Sequence, residues 1–252
     1  METSNRKSVV LFGASSTVAE ALADCFAADG YDLILCTRNI DAGNRLATDL
    51  KVRHEVNAKV LAFDATDYAS HEGIVAECQE LLDGMPEGVV LCFGYMADQV
   101  ESEENFELAQ RTIDTNLTGT ISICERFAAL FATRRSGWIA GLSSVAGDRG
   151  RKKNYIYGAS KAGMTCYLAG LRNRLHSRDV HVVTIKPGFM DTKMTYGMDL
   201  PKALTASPEQ AAKAMFKAIQ EKRNEAYVLW PWRFIMMIIR AIPEWQFKKM
   251  DI

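Results

Sequence analysis

The sequence predicts an α/β fold, in which a doubly wound parallel sheet of about seven strands carries helices on both faces. Short apolar runs alternate with helix-length segments along the chain, which is the rhythm of repeated β–α units. The runs are apolar almost without interruption, as expected of strands that are covered on both faces. A chain of 252 residues with 48% hydrophobic side chains can also bury one sizeable core.

The strand and helix candidates follow this order along the chain. Residues 9–12 form the first strand candidate and precede an Ala-rich helix over 18–28, which Gly30 closes. Another helix start is clear at Ser207, where a capping residue precedes Pro208. The remaining strand candidates are 33–37, 60–63, 89–93, 138–143, 180–186 and 226–230. Since we find no linker-like stretch, we predict one domain over 1–230 and a C-terminal extension over 231–252.

The charge balance excludes two large classes of protein. The chain has 30 Lys and Arg against 31 Asp and Glu, a net charge of -1, so neither a nucleic-acid-binding protein nor an acidic disordered tail is expected. Its six cysteines are far apart and form no Cys-x-x-Cys pair, which argues against a metal site and favours reduced thiols in the cytoplasm. Residues 1–8 are polar and lead into an apolar run that is too short for a secretion signal.

The loop after the first strand candidate has the composition of a phosphate-binding turn that has lost glycines. In a dinucleotide-binding sheet this loop turns tightly and brings backbone N–H groups to a pyrophosphate. Here only Gly13 remains of a Gly-x-x-x-Gly-x-Gly pattern, while the hydroxyls of Ser15, Ser16 and Thr17 can donate hydrogen bonds to phosphate. A plain strand-to-helix turn with capping residues would give the same sequence.

Two later strand ends suggest which cofactor is bound. The second strand ends without the acidic residue that would accept hydrogen bonds from an adenosine ribose, and Arg38 stands there instead. A cation at this position favours the 2′-phosphate of NADP(H) over NAD(H), although a solvated surface arginine fits as well. After the third strand, Asp64-Ala65 is placed to meet an adenine amino group, or Asp64 caps the helix that starts near Asp67.

The most informative pair is Tyr157 and Lys161. The two residues are four apart on a predicted helix, so their side chains share one face. A phenol has a pKa near ~10, and an adjacent ammonium favours the phenolate and lowers that pKa. The pair therefore predicts a tuned proton donor, with a chance Tyr-x-x-x-Lys match as the alternative.

Several further motifs complete a series that is typical of one family. Ser143-Ser144-Val-Ala-Gly147 ends a strand candidate, Asn116 lies in Asp-Thr-Asn-Leu-Thr-Gly, and Pro187-Gly188 follows the sixth strand candidate. In order and spacing, these motifs together with Gly13, Arg38, Asp64 and the Tyr/Lys pair resemble the short-chain dehydrogenase/reductase family. The resemblance covers roughly residues 8–230 and implies a Rossmann-type dinucleotide-binding and catalytic domain.

The resemblance implies a role for each matching residue. Tyr157 resembles the proton donor, Lys161 the residue that lowers its pKa and holds the nicotinamide ribose, Ser144 the serine that orients the substrate carbonyl, and Asn116 the anchor of a water-linked proton path. For Asn116, local backbone capping is the alternative. Further cofactor contacts implied by the family are Gly94, Pro187, Gly188 and Thr192. The chain departs from the family at Leu-Cys-Phe-Gly94, where asparagines are expected, and this puts the hydrogen bonding of that loop in doubt.

The implied reaction is the NADPH-dependent reduction of a ketone to a secondary alcohol. The tail of the chain and the segment around Asp-Arg149-Gly-Arg151 resemble one subgroup, the keto-sugar reductase subunit of polyprenyl-phosphoryl-ribose 2′-epimerase. This subgroup reduces a lipid-linked 2-keto-pentose and works with a flavin-dependent oxidase partner. A reductase of a soluble ketone or 3-oxoacyl substrate, and a non-catalytic NADP-sensing or scaffold protein, remain as alternatives. The family also suggests a homo-oligomer.

The C-terminal segment differs in composition from the rest of the chain. Three of the four tryptophans, Trp230, Trp232 and Trp245, lie here beside the apolar run 234–239 and several Lys and Arg residues. The run is far shorter than the ~20 residues that span a bilayer. The segment therefore lies on the inner face of the cell membrane, covers the lipid chain of a substrate, or packs on the sheet or another subunit. Similarly, the basic stretch 149–153 either meets a lipid phosphate or is a solvated loop.

Overall fold

The structure, a computed structural model, describes residues 6–251, so the expectation about a secretion signal lies partly outside the described residues. At its centre is a seven-stranded sheet with the order β3-β2-β1-β4-β5-β6-β9, in which all neighbours are parallel. The predicted Rossmann-type α/β fold is therefore confirmed. The strands of this sheet are β1 Ser8–Phe12, β2 Asp32–Thr37, β3 Ala58–Ala62, β4 Gly88–Leu91, β5 Trp138–Leu142, β6 His181–Lys186 and β9 Glu225–Tyr227.

Helices connect the strands and cover both faces of the sheet. The helices are α1 Thr17–Ala28, α2 Ile40–His54, α3 His71–Leu82, α4 Gln99–Glu104, α5 Phe106–Ile113, α6 Gly119–Arg134, α7 Tyr155–His176, α8 Pro208–Gln220, α9 Pro231–Ala241 and α10 Glu244–Phe247. Two short strands, β7 Phe189–Met190 and β8 Thr205–Ala206, pair with each other outside the main sheet. The start predicted at Ser207 is confirmed, since its hydroxyl accepts from the N–H of Gln210, whose side chain accepts in return from the N–H of Ser207.

The hydrophobic core forms two layers, one on each face of the sheet. Alternate residues of one strand point to opposite layers, so that Val9 and Leu11 join the layer under α1 and α8, whereas Val10 and Phe12 join the layer under α6 and α7. Phe12 is fully buried and meets the ring of Phe127 edge-on at 5.8 Å. Burial on both faces explains why the strand sequences are continuously apolar.

The C-terminal segment packs on the domain. Trp232 and Met236 of α9 are buried and form a small apolar cluster with Val145, in the 3-10 turn Val145–Gly147 that precedes α7. Arg149 fastens the segment further, because its guanidinium donates to the carbonyls of Ile239 and Ile242, both at 2.6 Å. Within residues 6–251, no helix is both long and apolar enough to cross a membrane.

The contacts of Arg149 therefore differ from those predicted from the sequence. Its guanidinium also donates to the carboxylate of Glu244 at 2.9 Å and lies 3.6 Å from the centroid of the Phe247 ring. A side chain held by these groups is not free to meet a lipid phosphate. Lys152 and Lys153, two further cations of the basic stretch, lie 3.5 and 3.6 Å from the carboxylate of Asp251.

Candidate active site

A cavity of about 900 Å³ lies at the carboxyl ends of the strands, beside the point between β1 and β4 where the strand order reverses. Ligands of open α/β sheets bind at this kind of crevice. The cavity brings together most of the residues that the sequence predicts to form the site. The predicted residues in its wall are Gly13, Ser15, Ser16, Thr17, Arg38, Asp64, Ala65, Gly94, Tyr157, Lys161, Pro187 and Thr192.

The loop after β1 needs its glycine at position 13. Gly13 has a φ of +81°, and a Cβ there would lie 2.6 Å from the backbone nitrogen of Phe93. The hydroxyls that follow have local partners: Ser16 caps α1 by accepting from the N–H of Ala19, and Ser15 accepts from the hydroxyl of Thr37 at 2.9 Å. The loop therefore combines a close backbone approach with the N-terminus of α1 beside the cavity.

Arg38 and Asp64 stand at the predicted adenosine end. Arg38 is exposed and borders both the cavity and an adjoining depression formed with Ser15 and residues 39–41. Asp64 accepts from the backbone N–H and the hydroxyl of Thr66, at 2.9 and 2.8 Å, and these bonds lower the pKa of its carboxyl group. Asp64 thus caps its own turn while it faces the cavity. Behind it, the buried ring of His71 lies 3.0 Å from the Asp64 carbonyl oxygen.

Asn116 connects the loop after β4 to α7. It lies in a single π-helical turn, Asp114–Thr118, between α5 and α6. Its Oδ1 accepts from the N–H of Tyr95, and its Nδ2 donates to the carbonyl of Tyr95 and to the hydroxyl of Ser160, all within 2.9 Å. These bonds order the loop that lacks the asparagines of the family. At Gly94 a Cβ would lie 3.3 Å from the Asn116 Oδ1, so this position needs a small residue.

The two adjacent serines have different partners. Ser143 Oγ donates to the carbonyl of Lys161 at 2.9 Å and lies 2.7 Å from the hydroxyl of Thr165, so it is bound to α7. Ser144 Oγ accepts from the N–H of Ala146, and the nearby Ser144 hydroxyl lowers the pKa of Tyr157. Ser144 is therefore the serine that can act together with Tyr157 on a substrate oxygen.

Burial dominates the electrostatics of the Tyr/Lys pair. Burial raises the pKa of Tyr157 to about 12, although the Ser144 hydroxyl and the positive charge of Arg151 act in the opposite direction. Lys161 Nζ lies 5.8 Å from the centroid of the Tyr157 ring and donates to the carbonyl of Leu142 at 2.8 Å. Arg151 is the cation that lowers the pKa of Tyr157 here, and the role of Lys161 in lowering it stays a prediction. Burial also lowers the pKa of Lys161 to about 8.

Gly188 lies beside the cavity and contacts the C-terminal segment. A Cβ on Gly188 would lie 2.0 Å from the indole of Trp232, whose Nε1 donates to the carbonyl of Leu204. Pro187 lines the cavity, and the N–H of Thr192 donates to the hydroxyl of Thr195. Gly188 is thus a packing position for α9, and its contact with the cofactor stays a prediction. Sequence reasoning did not assign Trp232 to this place, since only tertiary packing brings residues 44 positions apart together.

The lining of the cavity fits a nicotinamide dinucleotide. The cavity has a glycine where backbone must approach closely, a helix N-terminus for phosphate, and Tyr157 and Lys161 in its wall, while Ser144 lies just outside that lining. This combination defines the class of nicotinamide-dependent oxidoreductases with a dinucleotide-binding sheet.

Comparison with known proteins gives the family. Residues 7–202 match the family model described as short chain dehydrogenase. An uncharacterised oxidoreductase of Mycobacterium tuberculosis is 32% identical over 251 residues, which cover 99% of both chains. The chain therefore belongs to the short-chain dehydrogenase/reductase family, and it is an NAD(P)-dependent oxidoreductase.

Solved structures show the same fold. A short-chain dehydrogenase from Sphingobium yanoikuyae in complex with NADPH superposes with a TM-score of 0.82 at 22% identity, covering 94% of this chain and 97% of that chain. An actinorhodin polyketide ketoreductase with NADPH superposes with a TM-score of 0.75 at 20% identity, covering 84% and 90% of the two chains.

Proposed function

We propose that this protein uses NADPH to reduce the ketone of a lipid-linked 2-keto-pentose to a secondary alcohol. In this proposal a flavin-dependent oxidase partner supplies the ketone, and both proteins work at the inner face of the cell membrane. The observation that carries the lipid-linked substrate is the C-terminal helix α9, which packs beside the catalytic residues and exposes an apolar face.

The choice of NADPH is supported by the end of β2. Arg38 stands there with its side chain exposed, and it can pair with a 2′-phosphate in the depression that it shares with Ser15. The residues that would hold the rest of the cofactor are those of the loop after β1, the turn at Asp64, and Lys161. Similar proteins of solved structure were obtained with NADPH.

The chemistry divides between the cofactor and three side chains. The cofactor, when bound, supplies a hydride to the ketone carbon. Tyr157 stays protonated at neutral pH because burial raises its pKa to about 12, so its hydroxyl can donate a proton to the developing alkoxide. Ser144, whose hydroxyl is close enough to Tyr157 to lower its pKa, can donate to the same oxygen and stabilise its charge. Lys161 supplies a buried cation next to them.

Helix α9 supports a substrate with a lipid chain. Its inner face meets the site through Trp232, which lies against Gly188 and 5.1 Å from the ring of Phe189. Its outer face should be polar in an ordinary surface helix. Instead, Phe234, Met237 and Ile238 are each more than half exposed. Apolar side chains on the solvent side of a helix that packs beside the site suit a lipid environment.

The surroundings of this face favour an anionic membrane as its partner. Trp230 and Trp245, which are 74% and 61% exposed, stand at its two ends as tryptophans do at membrane interfaces. The basic residues close to it are Arg233, Arg240, Lys248 and Lys249, all exposed. A second copy of the chain, packed face to face on the same patch, would bring these like charges together.

The first experiment measures turnover. NADPH oxidation is followed with polyprenyl-phosphoryl keto-ribose, generated in situ by a flavin oxidase, and with the soluble keto-sugar erythrulose. We expect the lipid substrate to be preferred and Tyr157→Phe to lose turnover of both while it still binds NADPH. Turnover of soluble or 3-oxoacyl ketones alone would refute the lipid-linked substrate. NADPH binding without turnover of any ketone would indicate an NADP-sensing or scaffold protein instead.

The second experiment measures sedimentation with vesicles of phosphatidylglycerol. Met237→Ser and Ile238→Ser remove apolar area from the outer face of α9 and leave its buried face intact. We expect both to weaken binding to the vesicles. Val52→Ser is the matched control, since Val52 is 76% exposed on α2, away from this surface. Equal binding of all four proteins would refute membrane contact through α9.

A further inference from the structure

His71 is a buried histidine that lies behind the wall of the cavity. It is the first residue of α3, and its side chain is fully buried. The ring stacks on that of Phe63, with the centroids 5.3 Å apart, and meets the ring of Tyr68 edge-on at 5.9 Å. Packing alone does not require an imidazole at such a position, because an aliphatic side chain fills it without removing two nitrogen atoms from water. The hydrogen bonds of the ring therefore indicate what His71 does.

Both nitrogen atoms of the His71 ring have a partner. Nε2 lies 3.0 Å from the carbonyl oxygen of Asp64, which can only accept, so Nε2 carries a hydrogen. Burial lowers the pKa of the imidazole, so the ring is neutral at pH 7. A neutral ring has a single N–H, and Nδ1 therefore accepts from the hydroxyl of Ser122 at 2.9 Å. These two bonds select one tautomer of His71.

The hydroxyl of Ser122 is itself held within α6. Arg126 lies one turn further along this helix, and its Nη1 donates to the Ser122 hydroxyl oxygen at 3.0 Å and to the Ser122 carbonyl at 2.6 Å. The donors of Arg126, Ser122 and His71 thus follow one another in one direction, and hydrogen bonds in such a series strengthen each other. The series ends at the main-chain carbonyl of Asp64.

This carbonyl belongs to the turn at the predicted adenosine end of the cavity, where Asp64 and Ala65 line the wall. The same carbonyl accepts from the N–H of Asp67 at 3.2 Å, but that bond lies within the turn, whereas His71 links the turn to α3 and α6. The turn also fits closely against α6, because a Cβ on Gly119 would overlap the carbonyl oxygen of Ala65. The wall at Asp64 is therefore supported from behind by side chains that do not face the cavity.

We propose that His71 is a positioning residue, which holds the turn at Asp64 in the conformation that binds the adenosine half of the nicotinamide cofactor. The proposal requires only a nicotinamide-dependent enzyme and is independent of the ketone that is reduced. Without this hydrogen bond the turn also adopts conformations that do not bind, and the Kd rises in inverse proportion to the competent fraction. A fraction of roughly one tenth, which gives a ~10-fold higher Kd, is the size expected from loss of one buried hydrogen bond.

The test measures binding of two probes, NADPH by fluorescence titration and ADP-ribose by calorimetry. ADP-ribose contains the adenosine diphosphate that NAD(H) and NADP(H) share and has no nicotinamide, so its binding is measured without turnover. His71→Leu fills the buried site but cannot donate to Asp64, and we expect it to raise both Kd values ~10-fold. His71→Gln places an amide nitrogen donor near the position of Nε2, and we expect it to restore both Kd values to near those of the wild type.

Two further variants separate positioning from loss of stability. Ser122→Ala keeps the His71 ring and removes the donor to Nδ1, so we expect a smaller rise in both Kd values. Leu175→Ala is the matched control, because Leu175 is 2% exposed at the C-terminal end of α7 and its truncation costs stability away from the cavity. We expect its Kd values to equal those of the wild type. Thermal melts establish that each protein is folded during the titrations, and Ser122→Ala decides the question if His71→Leu does not fold.

Several outcomes overturn the inference. These are unchanged Kd values in Ser122→Ala and in folded His71→Leu, an equal rise in Leu175→Ala, no recovery in His71→Gln, and no binding of ADP-ribose by the wild type. Failure of the wild type to reduce any ketone would instead refute the proposed function, and it would leave the comparison of Kd values as it stands.

Discussion

Replacing Lys161 with methionine should make the cofactor-free protein more stable, although it removes a cation from the site. Lys161 is 3% exposed, and its Nζ donates one short hydrogen bond, to the carbonyl of Leu142 at 2.8 Å. Burial of the ammonium lowers its pKa from 10.5 to about 8. The enzyme therefore holds this charge at a cost in stability, as is common at functional sites.

The size of the effect follows from the pKa. A fall from 10.5 to about 8, at ~1.36 kcal/mol per pKa unit, corresponds to about 3 kcal/mol of destabilisation at pH 7. Loss of the hydrogen bond to the carbonyl of Leu142 offsets this gain in stability by roughly 1 kcal/mol. The variant should therefore gain about 2 kcal/mol and melt roughly 4–8 °C higher than the wild type at pH 7.

The dependence on pH identifies the cause. Between pH 8 and 10.5 the unfolded wild type binds more protons at Lys161 than the native state does, so this group makes the wild-type free energy of unfolding rise with pH. The variant lacks the group, and its advantage should vanish near pH 10. Denaturant unfolding at pH 7 and pH 10 measures both differences. Lys152→Met is the control and should match the wild type at both pH values. A Lys161→Met advantage that is independent of pH, or a less stable variant at pH 7, would refute the reasoning.

Three further predictions concern the cofactor loops and the C-terminal segment. Gly13→Ala places a Cβ 2.6 Å from the Phe93 nitrogen at a φ of +81°, so the free energy of unfolding should fall by roughly 2 kcal/mol or more in a denaturant titration; an unchanged midpoint contradicts this. Arg38→Ala should raise the Kd for NADPH ~10-fold or more and leave that for NADH nearly unchanged, as measured by fluorescence titration; equal changes in both contradict a 2′-phosphate contact. Arg149→Met releases the carbonyls of Ile239 and Ile242, so limited proteolysis should cleave within 231–251 roughly tenfold faster; an unchanged cleavage rate would show that Trp232 suffices to hold the segment.

The fold could be predicted from the sequence because its signals are local. A strand buried on both faces is continuously apolar, and Ser207 with Pro208 and Gln210 specifies a helix start within four residues. The boundaries were less accurate where pairing decides them. The last strand is predicted over 226–230 but spans Glu225–Tyr227, because Val228 makes the last hydrogen bond to β6, to the carbonyl of Lys186 at 3.3 Å, and the residues after it turn toward α9.

The electrostatics of the site could not be predicted in the same way. Spacing places Tyr157 and Lys161 on one helix face, but the pKa of each depends on burial by loops and strands that are distant in sequence. In the same way, Arg149, Arg151 and Lys152 form one basic stretch in the sequence. The structure gives them three environments. Arg149 donates to a carbonyl of the C-terminal segment, Arg151 is largely buried and its charge acts on Tyr157, and Lys152 forms an exposed ion pair. Their roles differ because their partners lie elsewhere in the chain.

The loop between Ser144 and α7 joins the C-terminal segment to the catalytic hydroxyl. Asp148 fixes one end of the loop by pairing with Lys186, and both side chains are almost fully buried, so loss of Lys186 would leave the Asp148 carboxylate without its cation. From that fixed point, Arg149 donates to the carbonyls of Ile239 and Ile242, and the charge of Arg151 lowers the pKa of Tyr157. Loss of α9 would therefore disturb this loop, whereas a change confined to the exposed outer face of the helix leaves the contacts of Arg149 intact. For this reason membrane binding is tested by substitutions on the outer face of α9, since removal of the whole segment would also leave the guanidinium of Arg149 without its partners.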